Sequence, residues 1–189
     1  CGGPAAGAQG AAVGVRAEAR RDHEAAYGNL GADDVGTSKR HDYGAVTFID
    51  EQVGRIVEAL RRRGMYDNAL IFFVSDHGDM MGDHHHWRKT YAYEGSTHIP
   101  FIVKFPSGTA GAAAPGSTDA RVVELRDVLP TMLDAAGVPV PSAVEGLSLL
   151  GEGPWRAWLD MEHAPCYSAD NYWCAPTAGG WQYFRFLQL

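Results

Sequence analysis

The chain is poor in cysteine. Cys1, Cys166 and Cys174 are its only three in 189 residues. The count is odd and no pair has Cys-x-x-Cys spacing, which excludes a zinc knuckle and a complete disulfide framework. Cys166 and Cys174 are placed for a hairpin cross-link, although two free thiols is the simpler reading. Long apolar runs are also missing. The longest, Ala69 to Val74, has the length of a strand and falls far short of the roughly 18–20 residues a membrane span needs. Positive charge is scarce, with 16 Lys and Arg against 23 Asp and Glu for a formal charge of −7. That is a poor electrostatic footprint for gripping phosphate backbones, so nucleic acid is excluded as the main partner. No basic segment followed by an apolar stretch stands at the start, so no secretory leader is recognisable in this sequence. What is present is ordinary: 46% hydrophobic and 21% charged residues exclude a disordered chain and a collagen-like repeat. A chain of this length can bury a core without disulfide or metal staples.

Residues 1–26 read as a Gly/Ala-rich flexible segment, since Cys1 to Gly14 carries few side chains to pack and much backbone entropy. The stretch to Arg40 is polar and weakly informative. From Tyr43 the pattern sharpens: Val46, Ile49, Val53, Ile56, Val57 and Leu60 recur at the steps of one helix face. Arg61, Arg62 and Arg63 suit the negative end of the helix dipole, and Gly64 suits a left-handed stop. A turn at Asp67 and Asn68 then feeds Ala69 to Val74, an apolar run suited to a strand buried on both faces. Ile99 to Phe105 reads as a second strand. Asp127 is placed to cap a helix that tolerates Pro130 in its first turn, with Met132, Leu133, Ala135 and Ala136 inward and Gly137 at its end. Trp181 to Leu189 reads as a further strand. The helix, turn and buried strand set the class as α/β, and no internal repeat or second domain of independent size is visible.

Beyond the first strand stand Ser75-Asp76-His77-Gly78-Asp79 and then Gly82-Asp83-His84-His85-His86-Trp87-Arg88-Lys89. Three carboxylates, four imidazoles and two cations fall within these fifteen residues. In open parallel α/β sheets, ligands bind beyond the carboxyl ends of strands. A divalent metal with an anionic substrate would use both halves of the inventory, acids and imidazoles for the metal and cations for the anion. Asp76 and His77 carry the strongest expectation, because an unpaired charge directly after a dry strand is costly. Consecutive histidines cannot all face one site. Asp79 suits holding a turn, Trp87 suits packing the loop, and Arg88 and Glu94 suit a surface.

Several stretches, taken in order, resemble the type I sulfatases of the alkaline-phosphatase superfamily. They are Ser75-Asp76-His77-Gly78-Asp79-Met80-Met81-Gly82-Asp83-His84, Lys89, Tyr93-Glu94-Gly95-Ser96 and Ile99-Pro100-Phe101-Ile102-Val103. The helix from Tyr43, the segment Asp127 to Val138, Gly146-Leu147-Ser148-Leu149 and Glu162-His163 extend the match. The resemblance implies a three-layer fold with a mostly parallel sheet, present here only in its C-terminal part. Residues 27–160 would then belong to the catalytic domain and 161–189 would lead into the small C-terminal sheet. It implies metal-assisted hydrolysis of aryl or carbohydrate sulfate esters, with a sulfated small molecule or glycan as the partner. The family's calcium ion (Ca2+) would take Asp76 and His77 as half of its ligands. The sulfate-contacting lysine falls on Lys89, and His84, His86 and Arg88 are candidates for touching the substrate.

The family's nucleophile is a formylglycine made from Cys or Ser in a C/S-x-P/A-x-R motif, and none of Cys1, Cys166 and Cys174 stands in one. The nucleophile, the early metal pair and an upstream histidine and lysine are therefore expected outside this chain, leaving it inactive alone, with an apolar face or sheet edge open. Asp33-Asp34 is a poor candidate for the early metal pair, since no hydrophobic strand precedes it. The alternatives are a phosphonate or phosphodiester hydrolase of the same superfamily and a non-catalytic metal-binding remnant. Periplasm or exterior is favoured over cytoplasm, because many bacterial sulfatases are exported.

Overall fold

A computed structural model describes residues 30–89, 93–163, 173–178, 181–182 and 185–186. The Gly/Ala-rich segment 1–26, Cys1, Cys166 and Tyr183 lie outside the described residues. The chain divides into two compact units, one of residues 1–50, 77–99 and 160–189, the other of residues 51–76 and 100–159.

Helix α1 runs from Ala32 to Arg62, starting well before the periodic stripe. Asp33 and Asp34 occupy its first turn and Arg61 and Arg62 its last, each sign at the end of the dipole it stabilises. Asp33-Asp34 is thus a helix start, in keeping with its poor claim to a metal. The end of α1 is a Schellman turn: Gly64 has φ +66°, its N–H donates to Arg61 O at 3.0 Å and the Met65 N–H to Leu60 O at 2.9 Å. Part of the stripe is open, with Val46 55%, Ile49 49% and Ile56 63% exposed, while Val53, Val57 and Leu60 are half-buried.

In the second unit, strand β1 (Ile71–Val74) pairs antiparallel with β2 (Phe101–Lys104). The expected burial on both faces is not met: Phe73 is 38% and its register partner Ile102 62% exposed. Opposed residues of an antiparallel pair share a face, so the side bearing Phe73 and Ile102 is open, while Phe72, Val74, Phe101 and Val103 on the other side are half-buried. Phe72 and Phe101 meet edge to face with centroids 6.0 Å apart. Lys104 fastens the approach to β1. Its Nζ donates to the carbonyls of Tyr66, Ala69 and Asp67 around the 3₁₀ turn Tyr66–Asn68, and its ammonium lies 4.6 Å from the Tyr66 ring centre.

The same unit is organised around Asp127. Rather than capping the following helix α2 (Val128–Ala135), its side chain makes no cap bond to it. Asp127 is fully buried and receives both arms of the Arg156 guanidinium at 2.5 and 2.6 Å, the Leu147 N–H at 2.7 Å and the Glu124 N–H at 2.9 Å. A carboxylate with four donors in reach is worth more at the centre of a unit than at a helix end. Thr131 Oγ1 donates to Asp127 O and accepts from Leu149 N. This gives the Gly-Leu-Ser-Leu stretch its physical reason: Leu147 and Leu149 supply the N–H groups, and a Cβ on Gly146 would sit 1.9 Å from Arg126 O. Pro130 and Thr131 form the inner side of α2. Met132, expected inward, is 49% exposed, because the inner side is set by Asp127, Pro130 and Thr131.

The first unit also holds a four-stranded sheet of β3 (Leu159–His163), β4 (Trp173–Ala178), β5 (Trp181–Gln182) and β6 (Arg185–Phe186), in which β4 pairs antiparallel with both β5 and β6. Trp181–Gln182 and Arg185–Phe186 keep one register against β4, from Ala178 opposite Trp181 to Trp173 opposite Phe186, as the strand expected from Trp181 onward would; residues 183–184 and 187–189 lie outside the described residues. No described helix is long and apolar enough to cross a membrane.

Candidate functional site

Asp76 is exposed, two residues past the end of β1. His77 follows, half-buried, with Nδ1 2.8 Å from the carbonyl oxygen of Gly78. With Nδ1–H donating there, the lone pair of the ring resides on Nε2, the tautomer that suits a metal ligand oriented by a carbonyl.

Beyond His77 the chain folds into a tight loop within the first unit. The Gly78 N–H donates to Ser96 O at 2.8 Å, and a Cβ on Gly78 would lie 2.1 Å from Gly95 O. Only glycine permits this approach to the short helix Glu94–Thr97. Met80, 1% exposed, plugs the loop, and its N–H donates to Arg88 O at 2.6 Å. Asp79 Oδ1 accepts the N–H groups of Met81 at 2.8 Å and Arg88 at 3.1 Å. The Gly82 N–H reaches His86 O at 2.9 Å. Trp87 packs the loop as expected, its ring and Val35 both 3.3 Å from where a Gly82 Cβ would stand.

Four non-glycine residues, Met81, His84, His85 and Arg88, have φ of 47°, 52°, 61° and 63°. Each costs energy that the surrounding bonds must offset, and such residues concentrate at functional loops. His84 stacks on Tyr93 with centroids 4.3 Å apart, and His86 lies 6.1 Å from the same ring. Both are thereby brought to one aromatic residue, while His85 is exposed. Arg88 and Lys89 are half-buried at the end of the loop, so Arg88 is less exposed than a surface residue would be. Lys89 pairs with no acid among the described residues. Glu94 is exposed and bonds His98 Nδ1 at 2.7 Å. The stacking role of Tyr93 was not readable from spacing, since its histidine partners lie beyond residues 90–92.

Asp76 and His77 offer one carboxylate and one imidazole, a donor pair that fits part of a divalent-ion site. Among the described residues no group of three or more His, Cys, Asp and Glu could hold an ion, so the described residues supply at most part of a coordination sphere, which for calcium takes about 6–8 ligands.

Comparison with solved structures first gives the class. The chain superposes with a TM-score of 0.66 and 31% identity on BT4656, solved in complex with its substrate D-glucosamine-2-N,6-O-disulfate, over 75% of this chain and 30% of that one. It superposes with a TM-score of 0.71 and 26% identity on the phosphonate monoester hydrolase of Agrobacterium radiobacter, over 84% of this chain and 34% of that one. The fold is the α/β fold of the alkaline-phosphatase-like sulfatases, present in part. The family follows from sequence: the Sulfatase family model matches residues 15–138, and the chain belongs to the sulfatase family. It is 42% identical over 135 residues to an arylsulfatase of Clostridium perfringens, a match covering 69% of this chain and 28% of that protein. The chain therefore spans about a third or less of the relatives it matches.

Proposed function

We propose that this chain is the C-terminal portion of a sulfatase catalytic domain, and that the intact protein hydrolyses sulfate esters of aryl alcohols or carbohydrates. The observation that carries the reading is the family match over residues 15–138, which takes in the whole segment from Asp76 to Lys89. Asp76, through its carboxylate, and His77, through Nε2, hold part of a divalent ion, with calcium the ion the family implies. The bound ion would supply charge stabilisation on the sulfuryl oxygens. Lys89 places its ammonium on a non-bridging sulfuryl oxygen, offsetting charge that grows in the transition state. The His84–Tyr93 stack and Arg88 lie along the same loop and suit the leaving alcohol. A formylglycine nucleophile and the remaining metal ligands come from elsewhere in the intact enzyme. Likeness to the enzyme solved with a disulfated glucosamine supports a sulfated sugar among the substrates. Export to the periplasm or exterior is part of the same reading.

The superposition on a phosphonate monoester hydrolase favours one second reading, an enzyme that acts on phosphonate or phosphodiester substrates. Relative kcat/KM for an aryl sulfate and an aryl phosphonate in the intact protein separates the two, and a preference for the phosphonate would reverse the assignment. The central test is Asp76→Ala in the intact enzyme. We expect loss of divalent-ion-dependent turnover of a chromogenic aryl sulfate and weaker calcium binding in titration calorimetry, while this chain alone shows no turnover. Undiminished calcium affinity in the variant, or turnover by the chain alone, would defeat the proposal.

A further inference from the structure

We infer that Asp79 is a positioning residue for Lys89, its carboxylate fixing the backbone from which the lysine projects. The inference rests on the role proposed for Lys89 and assigns a function to a residue that makes no substrate contact.

A single oxygen, Asp79 Oδ1, accepts N–H groups from both ends of the loop, Met81 at 2.8 Å and Arg88 at 3.1 Å. The carbonyl of Arg88 is held in turn by the Met80 N–H at 2.6 Å. Both peptide groups flanking the Arg88 Cα are thus fixed, the preceding one through its N–H and the following one through its oxygen. The following plane is the one that begins Lys89, so its orientation sets the direction in which the lysine leaves the loop.

The bonds are needed because Arg88 has φ +63°. A non-glycine residue left to itself would relax to negative φ, since in the left-handed form its Cβ crowds the following carbonyl oxygen. That rotation would swing the Lys89 backbone. Asp79 is itself anchored, since its neighbours Gly78 and Met80 are fixed by the Ser96 carbonyl and by burial. The acceptor, itself exposed, is thus held through its chain neighbours on both sides, while Lys89 has no acidic partner among the described residues to hold its ammonium in place.

The chemistry separates acceptor from charge. Asp79→Asn presents an amide oxygen at the position of Oδ1 and keeps both hydrogen bonds, whereas Asp79→Ala removes them. The experiment compares the intact enzyme with Asp79→Ala, Asp79→Asn, Lys89→Ala and the Asp79→Ala/Lys89→Ala double variant, using a chromogenic aryl sulfate, inorganic sulfate as competing anion, thermal melts and amide hydrogen exchange. A misplacement on the ångström scale is worth about 10²-fold, so Asp79→Ala should lose about that factor in kcat/KM and bind inorganic sulfate more weakly. Its melting temperature should hold, and the Arg88 amide should exchange faster. Asp79→Asn should recover most of the loss. On the Lys89→Ala background Asp79→Ala should add no more than about two-fold, the limit of coupling through a shared residue being already spent.

The inference is overturned if Asp79→Ala keeps normal kcat/KM while Lys89→Ala is damaged, if Asn fares as badly as Ala, or if the two losses multiply in the double variant. A harmless Lys89→Ala instead overturns the role given to Lys89, and faster or unchanged exchange of the Arg88 amide in Asp79→Ala then reports on the hydrogen bond alone.

Discussion

Asp127 and Arg156 show how much one buried pair can carry. The Arg156 side chain is 14% exposed and Asp127 is sealed. The bidentate geometry, with Leu147 and Glu124 N–H groups completing the carboxylate, satisfies groups that would otherwise be costly in a low dielectric. Hydrogen bonding to Asp127, partly opposed by desolvation, holds the Arg156 guanidinium above its ordinary value. A cation whose folded value is raised stabilises fully below its unfolded value and loses that only as pH climbs through the folded one. For a guanidinium that window is strongly alkaline, so Arg156 stays charged at any working pH. Arg156→Met strands the carboxylate and should cost roughly 3–5 kcal/mol, against at most about 1 kcal/mol for an exposed pair such as Lys39 with Asp83. Urea melts of Arg156→Met and Lys39→Met make the comparison. Equal midpoints would show that the Asp127 cluster does not organise its unit.

At the scale of elements, the glycines separate two uses of the same residue. Gly146 lets the Leu147–Leu149 segment lie on the turn before α2, and an added Cβ would meet Arg126 O at 1.9 Å and Asp127 N at 3.0 Å. Gly54, inside α1, has nothing within 4 Å of an added Cβ. Gly146→Ala should therefore destabilise by about 1–3 kcal/mol or more through forced backbone movement, and Gly54→Ala should stabilise by about 1 kcal/mol through helix propensity. Thermal melts of the two variants should shift in opposite directions, and a shift of the same sign would refute the local account. The same elements mark what was legible in the sequence. Periodicity and stop signals placed α1 from Tyr43 to its end, Gly64 and the core of β1, but not the start of α1 at Ala32, because they depend on residues a few positions apart. Antiparallel pairing of β1 with β2 was not legible, since a four-residue apolar run carries no direction. Nor was the partnership of Asp127 with Arg156, which joins residues far apart in the chain and resembles an ordinary helix cap in sequence. In the candidate site, Asp76, His77 and Lys89 were visible by type and order. The left-handed backbone at Met81, His84, His85 and Arg88 was hidden, because none of them is the glycine that usually announces it.

Over the whole molecule, the folded chain leaves apolar surface that an ordinary soluble domain would cover. Along α1, Tyr43 is 66%, Val46 55%, Phe48 64%, Ile49 49% and Ile56 63% exposed, while the helix ends are fully formed with their charges and Schellman turn. An amphipathic helix of this length draws its stability mainly from packing its apolar face. The open part of its stripe, Tyr43, Val46, Ile49 and Ile56, is thus apolar surface left in water, and this agrees with a chain that spans 28% of an arylsulfatase it matches. Contiguous exposed patches beyond a few hundred Å2 drive association. The chain alone should therefore bind the dye ANS and sediment as larger species as its concentration rises. Val46→Lys with Ile49→Lys should suppress both, because two charges placed on the stripe break its continuity. Far-UV circular dichroism should show the helix retained, since lysine is a good helix former. A wild-type chain that stays monomeric and binds no dye would mean that the stripe is covered in solution. Loss of helix signal in the double variant would mean that the stripe is already packed.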